Sequence, residues 1–422
     1  MLKFNKKLHC RHGEETRNDM HTLYGDGIHD DTLAIQELID SGACEVILPA
    51  PKNFYLISKP LELHSNFRLV LPRFAEVRLA ANSNCVMVRT KAVYDHARRL
   101  SPERSDGDRF VWGYVDDFSP ILYENVELCG GIWNCNNTEQ RPNPMQTRDF
   151  SVKEFYGFAM LFYNVKNLKV SDLTIKGPTN FGITLDTVSY FTVENITFDY
   201  NLGNPRPINM DGVHLNGNCH FGLLRNLKGT CYDDLVALNA DEGVGGDITD
   251  IEIDGIFAED CHSAARLLTV KYAVERIHIS NVYGTYYQYC LGLTKYYKGK
   301  SAGYYDAITF DNIYASKAVR YPHIYDPNSY VYAFIWIDKE TLVKSLTVRS
   351  LHRKENNNPI DTIHVRRETV VERLILDDIT TENLTDSPMT FIGGEGRIVN
   401  ASMHNLRIGD DPISLVPENT NI

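Results

Sequence analysis

The sequence lacks the features that most readily assign a protein to a class. Its nine cysteines are scattered singly without a Cys-x-x-Cys pair, so the pattern favours buried, reduced thiols over a zinc site or a disulfide framework. Lysine and arginine number 43 against 55 aspartates and glutamates, and the net charge of −12 argues against nucleic acid or an anionic membrane as a partner. No apolar run approaches the roughly 20 residues of a membrane-spanning helix.

The amino terminus also lacks the apolar segment of a secretory signal, although residues 1–17 contain several basic side chains. We therefore expect a cytoplasmic protein, or a secreted or periplasmic one if a leader has been removed. Nothing in the sequence implies a metal or an organic cofactor.

A short strand pattern recurs along the chain: apolar, any, apolar, any, then Asn, Asp or a small residue, then apolar. The marked position is occupied in turn by Asp172, Asn195, Asn226, Gly255, Asn281, Asn312, Ser350 and Asp378, at spacings between 23 and 38 residues. A constant strand pattern at variable spacing is typical of a β-solenoid, in which the strands keep register while the loops vary in length. We predict an all-β fold, a right-handed parallel β-helix, with the marked residues at corners in the left-handed conformation.

The first 45 residues indicate a cap for this solenoid. Residues 30–40 have helical periodicity, and Asp or Thr near their start can cap the helix while Gly42 can end it. The predicted buried side of the helix consists of Leu33, Ile35, Leu38 and Ile39. A helix in this place would cover the open first coil.

We expect a single domain over 1–422, with the cap region at 1–45 and aperiodic loop insertions at 91–120 and 136–157. Such insertions are either functional loops or ordinary solvated ones.

Three carboxylates stand just before two apolar strand patterns. Asp211 precedes the run 213–215, and Asp233 and Asp234 precede the run 235–238. Asp233 follows Asp211 by 22 residues, about one solenoid coil, so stacked strands would bring these acids within roughly 4.8 Å of each other. Adjacent strand residues point to opposite faces, so Asp233 and Asp234 share a site only if the chain bends there. The alternative is that all three are corner and turn residues.

These acids belong to an ordered set that resembles a known family. The stretch GDGIHDDTLAIQ, the glycine-rich segment 126–132 and the series Asn209-Met-Asp211, Asp233-Asp234, His262 and Lys295 resemble the pectin-lyase-like superfamily, and within it the family 28 glycoside hydrolases, the polygalacturonase group. The chain departs from the family pattern on the substrate side, because Leu293 stands where the family has an arginine two residues before the lysine.

The resemblance implies an inverting glycoside hydrolase acting on a pectin-type or related uronic-acid-containing saccharide. Asp233 would be the general acid, Asp211 and Asp234 would hold the attacking water, and His262 would orient the acid. His214, within a strand, is expected to be structural.

Four further residues are expected to bind the saccharide. Asn209 belongs to the first acid motif, Tyr296 lies in a tyrosine-rich stretch, and Arg266 and Lys295 could pair with a sugar carboxylate. Two other functions remain open: a polysaccharide lyase, and a carbohydrate-binding or adhesion β-helix without turnover.

Overall fold

The amino-terminal helix α1 spans Thr32–Ile39 and packs on the first coil. Ile35 and Ile39 are fully buried, as predicted, but Leu33 is 53% exposed, so its assignment to the buried side was wrong. Two helical steps of about 100° place Leu33 opposite Ile35. The side-chain amide of Gln36 donates to the Glu62 carbonyl and accepts from the Glu62 N–H. The helix therefore satisfies backbone hydrogen-bonding groups at the open edge of the first coil.

The computed structural model describes residues 21–90, 122–147, 157–297, 299, 301–319, 331–415 and 419–421. The predicted insertion at 91–120 lies outside these residues, as does the 148–156 part of the second insertion. The described part of that second insertion contains a 3-10 turn at Asn137–Glu139 and the short helix α2 at Pro144–Thr147. None of the described helices is long and apolar enough to cross a membrane.

The described residues form 27 strands in one parallel sheet system. The first strands are β1 (Glu45–Ile47), β2 (Tyr55–Ile57), β3 (Leu61–Leu63), β4 (Phe67–Val70), β5 (Glu76–Leu79), β6 (Val88–Thr90), β7 (Tyr123–Cys129), β8 (Ile132–Asn134) and β9 (Met160–Ser171). The central strands are β10 (Thr174–Lys176), β11 (Ile183–Asp199), β12 (Val213–Asn216), β13 (Cys219–Thr230), β14 (Asp234–Asn239), β15 (Ile248–Cys261), β16 (Ser263–Leu268), β17 (Ala273–Tyr286) and β18 (Leu291–Thr294). The last strands are β19 (Gly303–Lys317), β20 (Ile335–Ile337), β21 (Thr341–Val343), β22 (Leu346–Glu355), β23 (Ile363–Val365), β24 (Val370–Asn383), β25 (Ile392–Gly394), β26 (Arg397–Arg407) and β27 (Asn419–Asn421).

Every pairing joins a strand to its counterpart in the next coil, which is the parallel β-helix that the sequence predicts. One strip of paired strands, which we call the front face, carries the candidate site: β3, β6, β9, β11, β12, β14, β16, β18, β20, β23 and β25. Along it, alternate side chains fill a continuous apolar core and the others point outward.

The predicted corners are also confirmed. All eight marked positions have positive φ, between 50° and 85°. Three of the side chains form a ladder along the solenoid axis: Asn195 donates to Asp172 at 2.9 Å, and Asn226 donates to Asn195 at 2.5 Å. Asn and Asp suit these corners because they tolerate the left-handed conformation and hydrogen-bond to the next coil.

Candidate active site

Two of the predicted acids lie side by side on the front face. Val213 of β12 pairs with Val236 of β14, so Asp211 and Asp234, each two residues earlier, occupy the same position in successive coils. The backbone N–H of Asp234 donates to Asp211 Oδ1 at 3.1 Å. Both side chains are almost inaccessible, with exposures of 1% for Asp211 and 0% for Asp234.

Asp233 joins this pair because the chain bends immediately before β14. Tyr232 and Asp233 form a bend, and the strand begins at Asp234, so the two adjacent carboxylates need not point to opposite faces. Asp233, Asp234 and His262 each offer an oxygen or nitrogen within 4.8 Å of the others. Asp233 Oδ1 lies 3.3 Å from His262 Nδ1. The bend that the sequence argument requires is therefore present.

His262 is held as a neutral imidazole. Burial lowers the pKa of His262 to about 3, and the positive charges of Arg266 and Lys317 add to this effect. The ring meets Tyr287 edge to face at 5.1 Å. At neutral pH it can therefore exchange a hydrogen bond with Asp233 without contributing a positive charge.

Asp234 is held by two neighbouring side chains, Arg266 and Ser263. Its Oδ2 lies 2.8 Å from Arg266 Nε, and its Oδ1 accepts a hydrogen bond from the Ser263 hydroxyl. Burial raises the pKa of Asp234 to about 6; Arg266 opposes the increase and the neighbouring Asp211 adds to it. Arg266 also donates from Nη2 to Asn239 at 3.3 Å, so much of its hydrogen-bonding capacity is used within the protein.

His214 has a larger part in the site than the sequence suggests. Its Nδ1 lies 2.6 Å from Asp211 Oδ2, and its Nε2 lies 3.1 Å from Glu242 Oε2. Burial alone would lower the pKa of His214, but the hydrogen bonds to these two carboxylates raise it to about 9. The ring also stacks on Phe181 with centroids 3.9 Å apart. His214 is thus a buried cation that holds Asp211 in place.

Sequence reasoning missed Glu242 altogether. Burial acts to raise the pKa of Glu242, but His214 lowers it to about 2, and the Tyr297 hydroxyl donates to the same carboxylate. The sequence did contain a signal for His214, which follows Asp211 by three residues, but none for Glu242. Glu242 itself follows β14 in an irregular segment, where no periodicity marks it.

Lys295 and Asn209, two of the predicted saccharide ligands, hydrogen-bond to other protein groups. Lys295 Nζ is 2.6 Å from Glu340 Oε2 and also donates to the Gly299 carbonyl, so it is engaged in the protein. Asn209 donates to Asn180 Oδ1 at 3.2 Å, just ahead of Asp211.

Tyr296 belongs to an aromatic group beside Arg266. Its hydroxyl lies 3.0 Å from that of Tyr289, and the Arg266 guanidinium lies 5.4 Å from its ring centroid. Of the four predicted saccharide ligands, Arg266 and Tyr296 are therefore the ones that the structure brings together.

Asp233, Asp234 and His262 also have the composition of a metal ligand set. The guanidinium of Arg266, 2.8 Å from Asp234, already supplies a positive charge at this point and opposes a second cation. These residues therefore fit an acid–base centre better than a metal centre.

A cavity of about 450 Å³ adjoins the acids without including them. Two of its lining residues adjoin the acid centre: Tyr232 precedes Asp233 in the chain, and the Tyr287 ring packs on His262. The complete lining consists of Phe198, Asp199, Tyr200, Leu202, Gly229, Thr230, Tyr232, Glu259, Asp260 and Tyr287.

No family model matches the sequence, and no curated protein matches it either. Solved structures do. An endo-xylogalacturonan hydrolase from Aspergillus tubingensis aligns with a TM-score of 0.58 at 13% identity, covering 95% of this chain and 99% of that one. A hyperthermoactive exopolygalacturonase from Thermotoga maritima aligns with a TM-score of 0.55 at 16% identity, covering 90% and 89%.

A third similar structure is not described as an enzyme. PfbA, a surface adhesin of Streptococcus pneumoniae, aligns with a TM-score of 0.52 at 15% identity, covering 91% of this chain and 90% of that one. At these identities the likeness shows the fold, the parallel β-helix shared by hydrolases and an adhesin. The chemistry must be argued from the site.

Proposed function

We propose that this protein is a glycoside hydrolase that cleaves glycosidic bonds in a pectin-type or related saccharide by inversion. The observation that carries the proposal is the convergence of Asp233, Asp234 and His262 within 4.8 Å, beside Asp211, on one face of the β-helix. Glycoside hydrolysis needs one carboxyl that gives a proton and another that accepts one, and grouped carboxyls in different environments provide this difference.

In the proposed reaction Asp233 donates its proton to the glycosidic oxygen as the bond from that oxygen to the anomeric carbon breaks. A water molecule adds to the anomeric carbon from the opposite face and gives a proton to the Asp211 and Asp234 pair. His262, which is neutral at pH 7, positions Asp233 through the 3.3 Å contact. His214 orients Asp211 through the 2.6 Å contact between its Nδ1 and Asp211 Oδ2.

The carboxyl separation bears on the stereochemistry. Asp233 and Asp234 each offer an oxygen within 4.8 Å of the other, which is nearer to the roughly 5–5.5 Å of retaining enzymes than to the roughly 6.5–9.5 Å of inverting ones. Both oxygens of Asp234 are engaged, however, one by Arg266 and one by Ser263. A carboxylate held in this way suits the orientation of water better than covalent attack on a sugar, and this supports inversion.

A second candidate is a carbohydrate-binding β-helix without turnover. The burial of the acids favours it, because Asp211, Asp233 and Asp234 are at most 2% exposed. The similarity in fold to an adhesin shows that this architecture is compatible with such a role.

A screen of oligosaccharides separates these functions. Incubation with galacturonide, xylogalacturonan and neutral oligomers should release new reducing ends from at least one substrate, without the ultraviolet absorbance of an unsaturated product. Absorbance would indicate a lyase. Binding without any new reducing ends would support the non-catalytic alternative and overturn the proposal.

A further inference from the structure

The front face continues beyond the acid centre with a second group of aromatic and polar side chains. One outward-facing row runs across successive strands through Arg266, Gly292, Trp336, His364 and Gly393. Trp336 is two strands from Arg266, about 10 Å at the usual strand spacing. A bound chain that reaches the acids could therefore also reach Trp336.

Trp336 is the central residue of this group. Ile335 and Ile337 on either side of it are buried in the core, while the indole packs against His364 with centroids 5.1 Å apart and planes 10° apart. Trp336 is 9% exposed, and within the described part of the chain its indole N–H meets no acceptor. Buried donors without an acceptor are rare and costly, so this one calls for a ligand oxygen.

Three charged or titratable side chains surround the indole. His364 Nδ1 lies 2.6 Å from Asp361 Oδ2, and these two side chains are 24% and 22% exposed. The Arg366 guanidinium lies 5.3 Å from the Trp336 ring centroid and is oriented by Asp338 at 3.0 Å. An apolar ring, a hydrogen-bond acceptor and a forked donor thus lie together at a partly exposed surface.

Two buried basic side chains, Lys317 and Arg353, hold the loops that carry this group. Lys317 donates from Nζ to the carbonyl of Tyr332, four residues before Trp336, at 2.9 Å. Arg353 donates to the Ile360 carbonyl at 2.8 Å and to the Thr362 hydroxyl at 2.9 Å, on either side of Asp361. These hydrogen bonds fix the backbone on either side of Asp361 and just before Trp336, so the group is preorganised.

Glycines make room for the side chains that flank the indole. A Cβ at Gly393 would lie 2.2 Å from Asp361 Oδ2, and a Cβ at Gly292 would lie 2.7 Å from the Tyr289 ring. The absence of a side chain at Gly393 therefore leaves room for the Asp361 carboxylate, and its absence at Gly292 leaves room for the Tyr289 ring. The arrangement depends on small residues at two positions of the same row.

We propose that Trp336, Asp361, His364 and Arg366 form a saccharide-binding subsite. A sugar hydroxyl oxygen accepts the hydrogen bond of the indole, another hydroxyl donates to Asp361, and the guanidinium of Arg366 contacts a ring or hydroxyl oxygen. The class of ligand rests on the proposed function, but binding at this place does not require hydrolysis.

The test is titration of an Asp233→Asn background with oligogalacturonides as the acidic probe and cello-oligosaccharides as the neutral probe, from disaccharide to hexasaccharide. The chain contains three tryptophans, Trp112, Trp133 and Trp336. With Trp112→Phe added, and with Trp133 fully buried, fluorescence reports on Trp336. We expect a saturable change that strengthens with oligomer length in one of the two series.

Calorimetry then gives Kd for all variants, including Trp336→Phe, which lacks the fluorescent reporter. Trp336→Phe, which keeps a ring, and Asp361→Asn should each weaken binding of the longer oligomers about ten-fold, the usual size of one lost hydrogen bond. The matched control is His352→Gln, because His352 stacks on Tyr314 at 4.5 Å and 9° outside the front face. Its Kd should stay within two-fold of the parent value.

The outcomes separate this proposal from the proposed hydrolysis. If binding depends on Trp336 but the protein releases no reducing ends, the subsite proposal is supported and the proposed hydrolase function is contradicted. Hydrolysis whose dependence on oligomer length is unchanged by Trp336→Phe and Asp361→Asn would remove the subsite alone. Failure of both probe series to bind would also overturn the subsite.

Discussion

The front face contains two Asp-x-x-His pairs with nearly the same local geometry. In each, Nδ1 of the histidine lies 2.6 Å from Oδ2 of the aspartate three residues earlier: His214 with Asp211, and His364 with Asp361. They differ in burial. The side chains of His214 and Asp211 are each 1% exposed, whereas those of His364 and Asp361 are 24% and 22% exposed.

Burial and a second partner give these pairs different roles. Glu242 adds a second carboxylate to His214 and raises the pKa of its imidazole to about 9, so the first pair contains a buried cation. His364 has Trp336 as its other neighbour and stays at the surface. The same short sequence pattern thus occurs in the proposed acid centre in one coil and in the proposed binding subsite in another.

The largest expected effect separates chemistry from binding. Asp233→Asn should lower kcat about 10²–10⁴-fold, because it removes the proton donor while keeping the shape of the side chain. Asp361→Asn should act mainly on KM, by about ten-fold. Initial rates over a range of substrate concentrations measure both. Activity of Asp233→Asn within a few-fold of the parent would remove Asp233 from the mechanism.

The two histidines should differ in their effect on stability. His214→Asn leaves Asp211 and Glu242 buried without their shared cation, and we expect a loss of about 3–5 kcal/mol in the free energy of unfolding. His364→Asn breaks a partly exposed pair and should cost less than about 1 kcal/mol. Urea denaturation of both variants at pH 7 makes the comparison. Equal losses would contradict the distinction drawn from burial.

The pH dependence of stability should also come from the first pair. The pKa of His214 is raised from the ordinary value of 6.5 to about 9, so its contribution is complete below pH 6.5 and is lost as the pH rises towards 9. The loss should be roughly 3 kcal/mol. The raised pKa of Asp234 acts in a lower window, where stability falls as the pH rises from about 4 to about 6.

Denaturation curves at pH 6.5, 7.5 and 9 test this contribution. The slope should persist in His364→Asn and flatten in His214→Asn. A slope unchanged by loss of His214 would show that another group is responsible.

The smallest expected effect concerns substrate charge. Lys295 is paired with Glu340 and Arg266 with Asp234, so neither cation is positioned mainly for a ligand. Lys295→Met should therefore lower kcat/KM by less than about three-fold, and equally on acidic and neutral substrates. A loss of about ten-fold or more that is confined to the acidic substrate would identify Lys295 as a ligand of the sugar carboxylate.

The sequence predicts the fold because every coil repeats the same requirements. The marked corner residues all take positive φ, and the strand register gives a step of 23 residues that aligns Asp211 with Asp234, one residue beyond the expected Asp233. Contacts that depend on single loops were not predictable in this way. Glu242 reaches His214 from an irregular segment after β14, and the pairing of Arg266 with Asp234 joins residues on two neighbouring strands.

The subsite around Trp336 was also invisible in the sequence. Trp336 and His364 are 28 residues apart, and their stacking depends on the register between β20 and β23. Sequence reasoning found the acids because they precede recognisable strands. It missed this group because the register between strands of successive coils, here β20 and β23, is set by the whole solenoid.

The most direct test of the central claim is proton NMR of the first product formed by the parent protein on a cleaved oligosaccharide. The account predicts a hydrolysed sugar whose anomeric configuration is inverted relative to the substrate, followed by slow mutarotation. Retention at the anomeric carbon would contradict the roles given to Asp211, Asp233 and Asp234. An unsaturated product would contradict hydrolysis itself.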